Sequence, residues 1–565
     1  MATAENTVKV SGTWTRLRWA RRVTQSIFLL LFLFLIVATA AMTGAGIDAA
    51  TSGSVPYPVE AFLDIDPLIG LIVALSTGTV PGALIFGLLV LGSAAFLGRG
   101  FCGWICPMGT MNHAVSQIRQ TRHGKARIDR NSPRPYNKIK YVILAGVLVA
   151  ALFGSAIGGL FDPISLATRG VSLTLLPWLN WIFGGAIDLL AESNIPVLQH
   201  VSDATYDAVD GVIVYQRGFL VGSGTLISVL FIVVLAANRW IPRFWCRSLC
   251  PLGALLGVSG RFGALALHKD HDLCNQCGKC QLDCSGAAAP RPGDRWQRAE
   301  CDLCMNCVSV CDKGALSFRL AGEKSDEQAL PDLKRRTVIA GAVIGAAAIP
   351  AMRTGGLSSV EGRPDPARIR PPGAVDEKEF IERCIRCGQC MKICPNNALH
   401  PALDEAGIEG LWTPILVPAT GYCEPTCTLC SQVCPTAAIR RVSEDEKLGK
   451  NGARMVSIGT AFFDRGRCLP WAMGTPCTVC EEFCPTSPKA ILMKEEEVEV
   501  LGRRVKLKVP YLDPSQCNGC GACEYVCPVH DKAAIRVTCS GESRSRDNQL
   551  LLGKPARKKE KPERS

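Results

Sequence analysis

Apolar residues are bunched in the first half of this chain. Four runs carry no charge and approach the length of a membrane-spanning helix: residues 26–45, 81–98, 141–160 and 219–238. The second of these can begin earlier, because no charge occurs between Asp66 and Arg99. Past residue 260 the pattern changes to short apolar stretches between polar turns, as in Ala438-Ile439-Arg440 and Ala534-Ile535-Arg536-Val537, which predict short strands in small α+β units. The expected fold is an α-helical membrane domain of four spans followed by α+β ferredoxin-like modules.

Charge sorts by side of these runs. Arg16, Arg18, Arg21 and Arg22 precede the first, and Arg99, Arg127, Arg130, Arg134 and Lys138 lie between the second and third. The remaining loops are mainly acidic, with Glu60, Asp64 and Asp66, then Asp162, Asp188, Glu192, Asp203 and Asp207. The positive-inside rule then puts the N-terminus in the cytoplasm. The formal charge of +12 is largely a topology signal. Nucleic acid is not an expected partner, since the basic residues flank spans.

The membrane part reads as a duplicated two-span unit. Asp66-Pro67-Leu68 precedes a run that ends in Arg99 and Cys102-Gly103-Trp104-Ile105-Cys106-Pro107, and Asp162-Pro163-Ile164 precedes one that ends in Arg243 and Cys246-Arg247-Ser248-Leu249-Cys250-Pro251. Each C-x3-C-P motif has a glycine two residues after its proline. Such a repeat in one orientation implies a pseudo-twofold axis. That axis would gather Cys102, Cys106, Cys246 and Cys250 at the cytoplasmic face, where they are candidates for one further cysteine-ligated redox centre. Buried thiols beside sharp turns are the plainer alternative. The second copy carries an insertion, residues 171–218, whose Leu176-Pro177-Trp178-Leu179-Asn180-Trp181 stretch reads as an interfacial or re-entrant helix.

Composition sharpens the picture through cysteine, of which there are 29 in 565 residues. Four runs repeat C-x2-C-x2-C-x3-C: Cys274/Cys277/Cys280/Cys284, Cys301/Cys304/Cys307/Cys311, Cys384/Cys387/Cys390/Cys394 and Cys517/Cys520/Cys523/Cys527. Two more stretch the first gap: Cys423/Cys427/Cys430/Cys434 and Cys468/Cys477/Cys480/Cys484. Three close thiolates wrap three corners of a cubane, and the fourth reaches the other cluster of a two-cluster unit. A zinc ribbon shows paired C-x2-C without the x3-C extension. The expectation is six [4Fe–4S] clusters held by these residues, with Cys539 left over.

The implied domains are a basic cytoplasmic N-terminus (1–25), the membrane domain (26–260), a two-cluster module (261–320), a linker (321–383), a four-cluster module (384–540) and a basic tail (541–565). In the linker, Arg335-Arg336 precedes an uncharged Ala/Gly-rich run, residues 337–352. Two arginines before such a run resemble a twin-arginine export signal, although Lys334 stands where Ser or Thr is usual. The run is also the candidate for a fifth span. Export would place the last four clusters in the periplasm.

Residues about 20–320 resemble the NapH/MauN-type membrane ferredoxin, a quinol dehydrogenase subunit, through the four spans, both C-x3-C-P motifs and the following pair of cluster motifs. Residues about 330–550 resemble the NapG/MauM-type ferredoxin, exported and carrying four cluster motifs. The resemblance implies a fusion of two subunits of one pathway in the bacterial inner membrane, with the first module cytoplasmic. For that module it implies Cys274, Cys277 and Cys280 with Cys311, and Cys301, Cys304 and Cys307 with Cys284. For the four-motif module it implies outer and inner pairing: Cys384, Cys387 and Cys390 with Cys527, Cys517, Cys520 and Cys523 with Cys394, Cys423, Cys427 and Cys430 with Cys484, and Cys468, Cys477 and Cys480 with Cys434. Sequential pairing uses the same ligands.

What is missing from the sequence narrows the function. There is no C-x-x-C-H, none of the seven histidines lies in the four runs, and no G-x-G-x-x-G follows a strand pattern. No catalytic residue is assigned. Asp162 and Arg169 are candidates for lining a quinol pocket, with a helix-end Asp-Pro turn and a surface arginine as the plainer reading. The expected function is electron transfer from the quinone pool to a periplasmic cytochrome or reductase. The alternative is a membrane ferredoxin that supplies electrons for metalloenzyme maturation.

Overall fold

The computed structural model describes the chain except residues 1–11, 45–54, 56, 81, 83, 119–123, 194–195, 210–222, 290–295, 321–327, 330–334, 355–363, 501 and 551–565. Lys334, the start of the basic N-terminus and most of the basic tail therefore lie outside the described residues.

The apolar runs form helices: α1 (Gly12–Gly44), α2 (Pro67–Thr77), α3 (Leu84–Leu97), α4 (Ile139–Leu152), α5 (Pro163–Ala191) and α6 (Ser223–Ala237). Aspartate and proline start two of them. Asp66 accepts from Leu68 N (2.8 Å) and Ile69 N (3.4 Å), Asp162 accepts from Ser165 N (2.7 Å), and Pro67 and Pro163 take the first helical position. α2 ends on Gly78, whose φ of 67° caps it.

Among the described residues three stretches are long and apolar enough to cross a membrane: Thr15–Thr39, Lys125–Leu152 and Pro163–Ala191. The second and fourth predicted runs form the shorter helices α3 and α6. The third run is interrupted after Leu152, where Gly154 turns the chain at φ 74° before a 3-10 turn, Ala156–Leu160. The stretch around Trp178 and Trp181, expected to be interfacial, instead belongs to the continuous α5, which passes through one π-turn at Val171–Leu175. Outward-facing side chains are apolar on α1 (Leu30, Phe34), α3 (Ile85, Leu89), α5 (Trp181, Leu189) and α6 (Val229, Val233). Such a belt is what a lipid surface requires of a helix bundle.

α4 runs between the two cysteine-rich modules. At its start Lys140 pairs with Glu300, beside Cys301. Past its end, Gly154 lies against the Glu382 carboxylate, beside Cys384. A further helix, α7 (Arg335–Thr354), lies along α4 in the same direction. Its Gly341 backs onto Val142 O and its Gly345 onto Gly146 O, so closely that a Cβ at either would collide, at 2.6 Å in the first case. Arg353, near its end, donates to Glu409 (2.8 Å) and to Phe153 O (3.1 Å). α7 thus leads from the end of α4 that meets the first module to the end that meets the second.

The modules contain short two-stranded sheets. β1 (Leu265–Lys269) pairs antiparallel with β2 (Leu316–Leu320) around the first module. In the second, β3 (Leu399–Pro401) pairs with β4 (Pro414–Leu416), and β5 (Thr460–Phe463) with β8 (Ile535–Thr538). The strand expected at Ala534–Val537 is thus β8, one residue displaced. Ala438-Ile439-Arg440 makes only an isolated bridge, from Ile439 to Ala374. A hairpin of two ten-residue strands, β6 (Ile491–Val500) and β7 (Arg503–Leu512), was not expected. Its register sets Glu495, Glu497 and Glu499 opposite Lys508, Lys506 and Arg504.

Candidate functional site

The unvaried cysteine runs share a backbone shape. The residues immediately before and after the second cysteine adopt positive φ: Gln276 and Gly278, Leu303 and Met305, Arg386 and Gly388, Gly519 and Gly521. This turn winds the loop around a centre and turns amide groups inward. The third cysteine then sits in a short helix, such as Lys279–Leu282 or Gln389–Lys392. The fourth is followed three residues later by another positive φ in four motifs: Ala287, Gly314, Asn397 and Ala437. Backbone N–H groups next bond its sulfur: Ala288 N to Cys284 Sγ (3.2 Å), Ala398 N to Cys394 Sγ (3.3 Å), Ile439 N to Cys434 Sγ (3.5 Å) and Ala534 N to Cys527 Sγ (3.4 Å). N–H donors to sulfur suit thiolates that ligate a cluster.

The thiols group by proximity. Cys280 neighbours Cys274, Cys277, Cys284 and Cys311, and Cys274, Cys277, Cys280 and Cys311 line one cavity. Cys284 lies beside Cys301, Cys304 and Cys307. In the second module Cys434, not Cys527, lies beside Cys384, Cys387 and Cys390. Cys394 lies beside Cys423, Cys427 and Cys430. Cys527 lies beside Cys468, Cys477 and Cys480, and Cys484 beside Cys517, Cys520 and Cys523. The outer-and-inner arrangement implied by resemblance is therefore replaced by sequential pairs. Each two-motif stretch folds on itself, so a fourth cysteine reaches its nearest neighbour in sequence.

Burial, then repulsion by Cys284, Cys277 and their neighbours, pushes the Cys280 thiol up to about 11. Crowded buried thiols hold their protons unless a metal takes the proton's place. Among the described residues no three His, Cys, Asp or Glu side chains converge on the point a single metal ion would fill. The loop shape and the N–H donors to sulfur fit [4Fe–4S]. Cys539 is buried against Asp365 O (3.3 Å) and Asn548, apart from these groups.

The two units of the second module meet where Cys423 N bonds Cys520 O (2.8 Å) and the Tyr422 and Tyr525 rings lie 5.5 Å apart. The unit's other end meets the membrane domain. Ile385 and Cys387 belong to the same core as Ile72, Ile164 and Phe231. Arg386 donates to Ala156 O (2.7 Å), and Arg169 donates to Arg386 O (2.8 Å) while stacking over Trp412 at 4.9 Å. Arg169 is fully buried, not a surface residue, and Asp162 is both a helix cap and fully buried.

Cys102, Cys106, Cys246 and Cys250 come together beneath the first module, at the other end of the bundle. Their surroundings are reciprocal. Arg243, before the second motif, reaches over Gly109 of the first, at 2.8 Å from where its Cβ would be; Arg99, before the first motif, reaches over Gly253 of the second, at 2.7 Å. At Gly109 the Cys102 carbonyl oxygen, 2.6 Å away, also excludes a side chain, whereas at Gly253 a Cβ would displace the Arg99 guanidinium. Gly253 N bonds Cys250 Sγ (3.2 Å), as Gly109 N does Cys106. The same arginines clamp the first module: Arg99 pairs with Glu300 (3.4 Å) and Arg243 with Asp302, on either side of Cys301. This clamp was not read from the sequence, although charged residues flanking a cluster cysteine were its visible signal.

The 4Fe-4S binding domain family matches residues 79–125 and 222–269, so both C-x3-C-P motifs fall within it, and a second family of that name matches 381–400. The 4Fe-4S dicluster domain family matches 475–530. The chain is 26% identical over 280 residues to the Escherichia coli electron transport protein YccM, spanning 48% of this chain and 67% of that protein. It is 32% identical over 183 residues to the ferredoxin-type protein NapG of E. coli, covering 32% of this chain and 75% of the relative. It is 35% identical over 186 residues to the methylamine utilization ferredoxin-type protein MauM of Methylophilus methylotrophus, covering 32% and 76%. No solved structure matches the chain.

Proposed function

Because the chain belongs to the NapG/MauM ferredoxin-type family through part of its length, we propose that this iron–sulfur electron-transfer protein oxidises quinol in the membrane and delivers the electrons to a periplasmic reductase or cytochrome. The observation that carries this reading is the seating of the Cys384–Cys387 loop in the core of the membrane domain, held through Arg386 and Arg169. A lipid-soluble donor would meet a first acceptor there. Six [4Fe–4S] clusters, held by the cysteine groups above, supply one-electron steps. In the second module the donor sets run from Cys384/Cys387/Cys390/Cys434 through Cys394/Cys423/Cys427/Cys430, then across the Cys423–Cys520 contact to Cys484/Cys517/Cys520/Cys523 and Cys468/Cys477/Cys480/Cys527.

The membrane domain in this reading is a duplicated two-span unit of four spans, a NapH/MauN-type half fused to a NapG/MauM-type half. The reciprocal Arg99–Gly253 and Arg243–Gly109 contacts support the duplication. α7 is an additional span that stays attached, since it leads from one module to the other. The first module then faces the cytoplasm and the second the periplasm. Cys102, Cys106, Cys246 and Cys250 hold a further centre; serine at Cys102 or Cys250 with unchanged iron content and redox signals would remove that assignment.

The test is anaerobic addition of a menaquinol analogue to the cluster-loaded protein, followed by low-temperature EPR. Reduction by quinol is expected. Reduction by dithionite but not by quinol would overturn the reading in favour of a cytoplasmic donor or a maturation role.

A further inference from the structure

Asp66 and Asp162 start two helices, and each cap uses one carboxylate oxygen. The other oxygens, Asp66 Oδ2 and Asp162 Oδ1, are buried and receive no hydrogen from the protein. The two carboxyl groups lie side by side, within hydrogen-bonding reach, in residues 1% and 0% exposed. A cap does not require this. Asparagine or serine caps as well and brings no second buried charge. Two ionised carboxylates so close in a low dielectric repel, whereas one shared proton turns the contact into a hydrogen bond.

The pair's neighbours point to redox chemistry. The Ser165 hydroxyl stands beside Asp162, and the Arg169 guanidinium lies close enough to feel its charge. Arg169 Nη1 donates to Arg386 O (2.8 Å), and its Nε has no partner. Arg386 in turn donates to Cys384 O (3.0 Å). One buried side chain therefore separates the acid pair from the backbone of the first cluster loop.

Resting on the quinol reading above, we propose that Asp66 and Asp162 are the proton-accepting carboxyl pair of the quinol site. Each quinol hydroxyl loses its proton to the carboxylate that is free, forming a carboxyl O–H. Its electron passes to an oxidised iron–sulfur cluster of the second module. The proton then leaves toward the side of that module, restoring the carboxylate for the second hydroxyl. One quinol thus yields one quinone, two protons and two singly reduced clusters. Arg169 orients Asp162 and holds the cluster loop against it.

The experiment compares full-length, cluster-loaded wild type with Asp66→Asn and Asp162→Asn, which keep the caps. The readouts are the rate of EPR-detected reduction by the menaquinol analogue and the carboxylic C=O infrared band. Wild type is expected to show a neutral-carboxyl band that shifts in deuterium oxide. Each variant is expected to lose it and to be reduced by quinol at least tenfold more slowly, with reduction by dithionite unchanged. Variants reduced by quinol at the wild-type rate would overturn the pair while leaving the quinol reading in place. Wild type that only dithionite reduces would overturn the quinol reading and the pair's role together. If neither variant folds, a neutral-carboxyl band in wild type that shifts when the quinol analogue is added supports the pair, and a band that is absent, or that the analogue leaves unmoved, overturns it.

Discussion

Glu300 meets two buried cations at the junction of the first module and the helix bundle. Its Oε2 meets Lys140 and Arg99 (3.4 Å), and its Oε1 accepts from Tyr141 OH (2.8 Å). Lys140 is 0% exposed, Arg99 4% and Glu300 9%. Replacement by alanine strands both cations in a dry interface, with Arg99 keeping only its bond to Ala299 O (3.0 Å). Breaking a buried pair in this way costs about 3–5 kcal/mol. At about 1.4 kcal/mol per decade, the undocked population of the first module rises roughly a hundredfold to several-thousandfold. Hydrogen exchange across Leu316–Leu320, followed by mass spectrometry on detergent-solubilised protein, reads that population directly. Glu300→Gln keeps the shape and one acceptor oxygen without the charge and falls between the two. Burial alone would raise the Glu300 carboxyl, but Lys140 and Arg99 outweigh it and hold it below its ordinary 4.5. A depressed carboxylate contributes stability above its ordinary range and loses it as pH falls, so wild-type protection declines in acid and that of Glu300→Gln does not. Exchange in Glu300→Ala within about threefold of wild type, under 1 kcal/mol, would refute the clamp.

Three further outcomes are expected. Cys434→Ser should perturb the cluster nearest the membrane and slow reduction of every later one, whereas Cys527→Ser should perturb only the group with Cys468, Cys477 and Cys480; potentiometric EPR distinguishes the two, and the opposite assignment would restore outer-and-inner pairing. Gly345→Leu drives a side chain into Gly146 O and should destabilise the α7–α4 contact by about 1–3 kcal/mol, read as lost cross-linking between cysteines placed on the two helices. Glu377 is ringed by Arg370 (2.6 Å), Arg544 (2.9 Å) and Arg368 (3.7 Å), which outweigh burial and hold it at about 2 against an ordinary 4.5. Glu377→Gln should therefore cost the second module roughly 3 kcal/mol near neutrality, and its deficit against wild type should shrink between pH 5 and pH 2, measured by denaturant unfolding.

The chemistry was legible because a cluster loop is local. Cys384, Cys387 and Cys390 lie within seven residues, and their spacing alone dictates the turn that Arg386 and Gly388 make. The partner of that loop was not legible: whether Cys434 or Cys527 closes it depends on how two-motif stretches fold, and spacing is silent on that. Asp66-Pro67 and Asp162-Pro163 were readable as helix starts, and Asp162 was marked as a quinol-site candidate. Its neighbour Asp66 emerged only from the packing of two distant helices. α5 was misread because Pro177 and Asn180 interrupt its apolar run, yet proline early in a segment that continues from a preceding turn does not end it. The β6–β7 hairpin was missed because its alternation is carried by charges over most of its length, with Val498, Leu507 and Val509 among the few residues facing inward.

α7 also acts as a tether. Two separate proteins carrying these modules would have to find each other by diffusion, and their affinity would limit how often electrons could pass. Joined by a helix lying along α4, the second module meets the membrane domain at an effective concentration set by the linker, on the order of millimolar for short connections. The contacts of Arg169, Arg386 and Arg353 then need to fix orientation rather than supply tight binding. Severing the chain between the two modules should therefore make electron delivery depend on dilution, which the joined chain escapes.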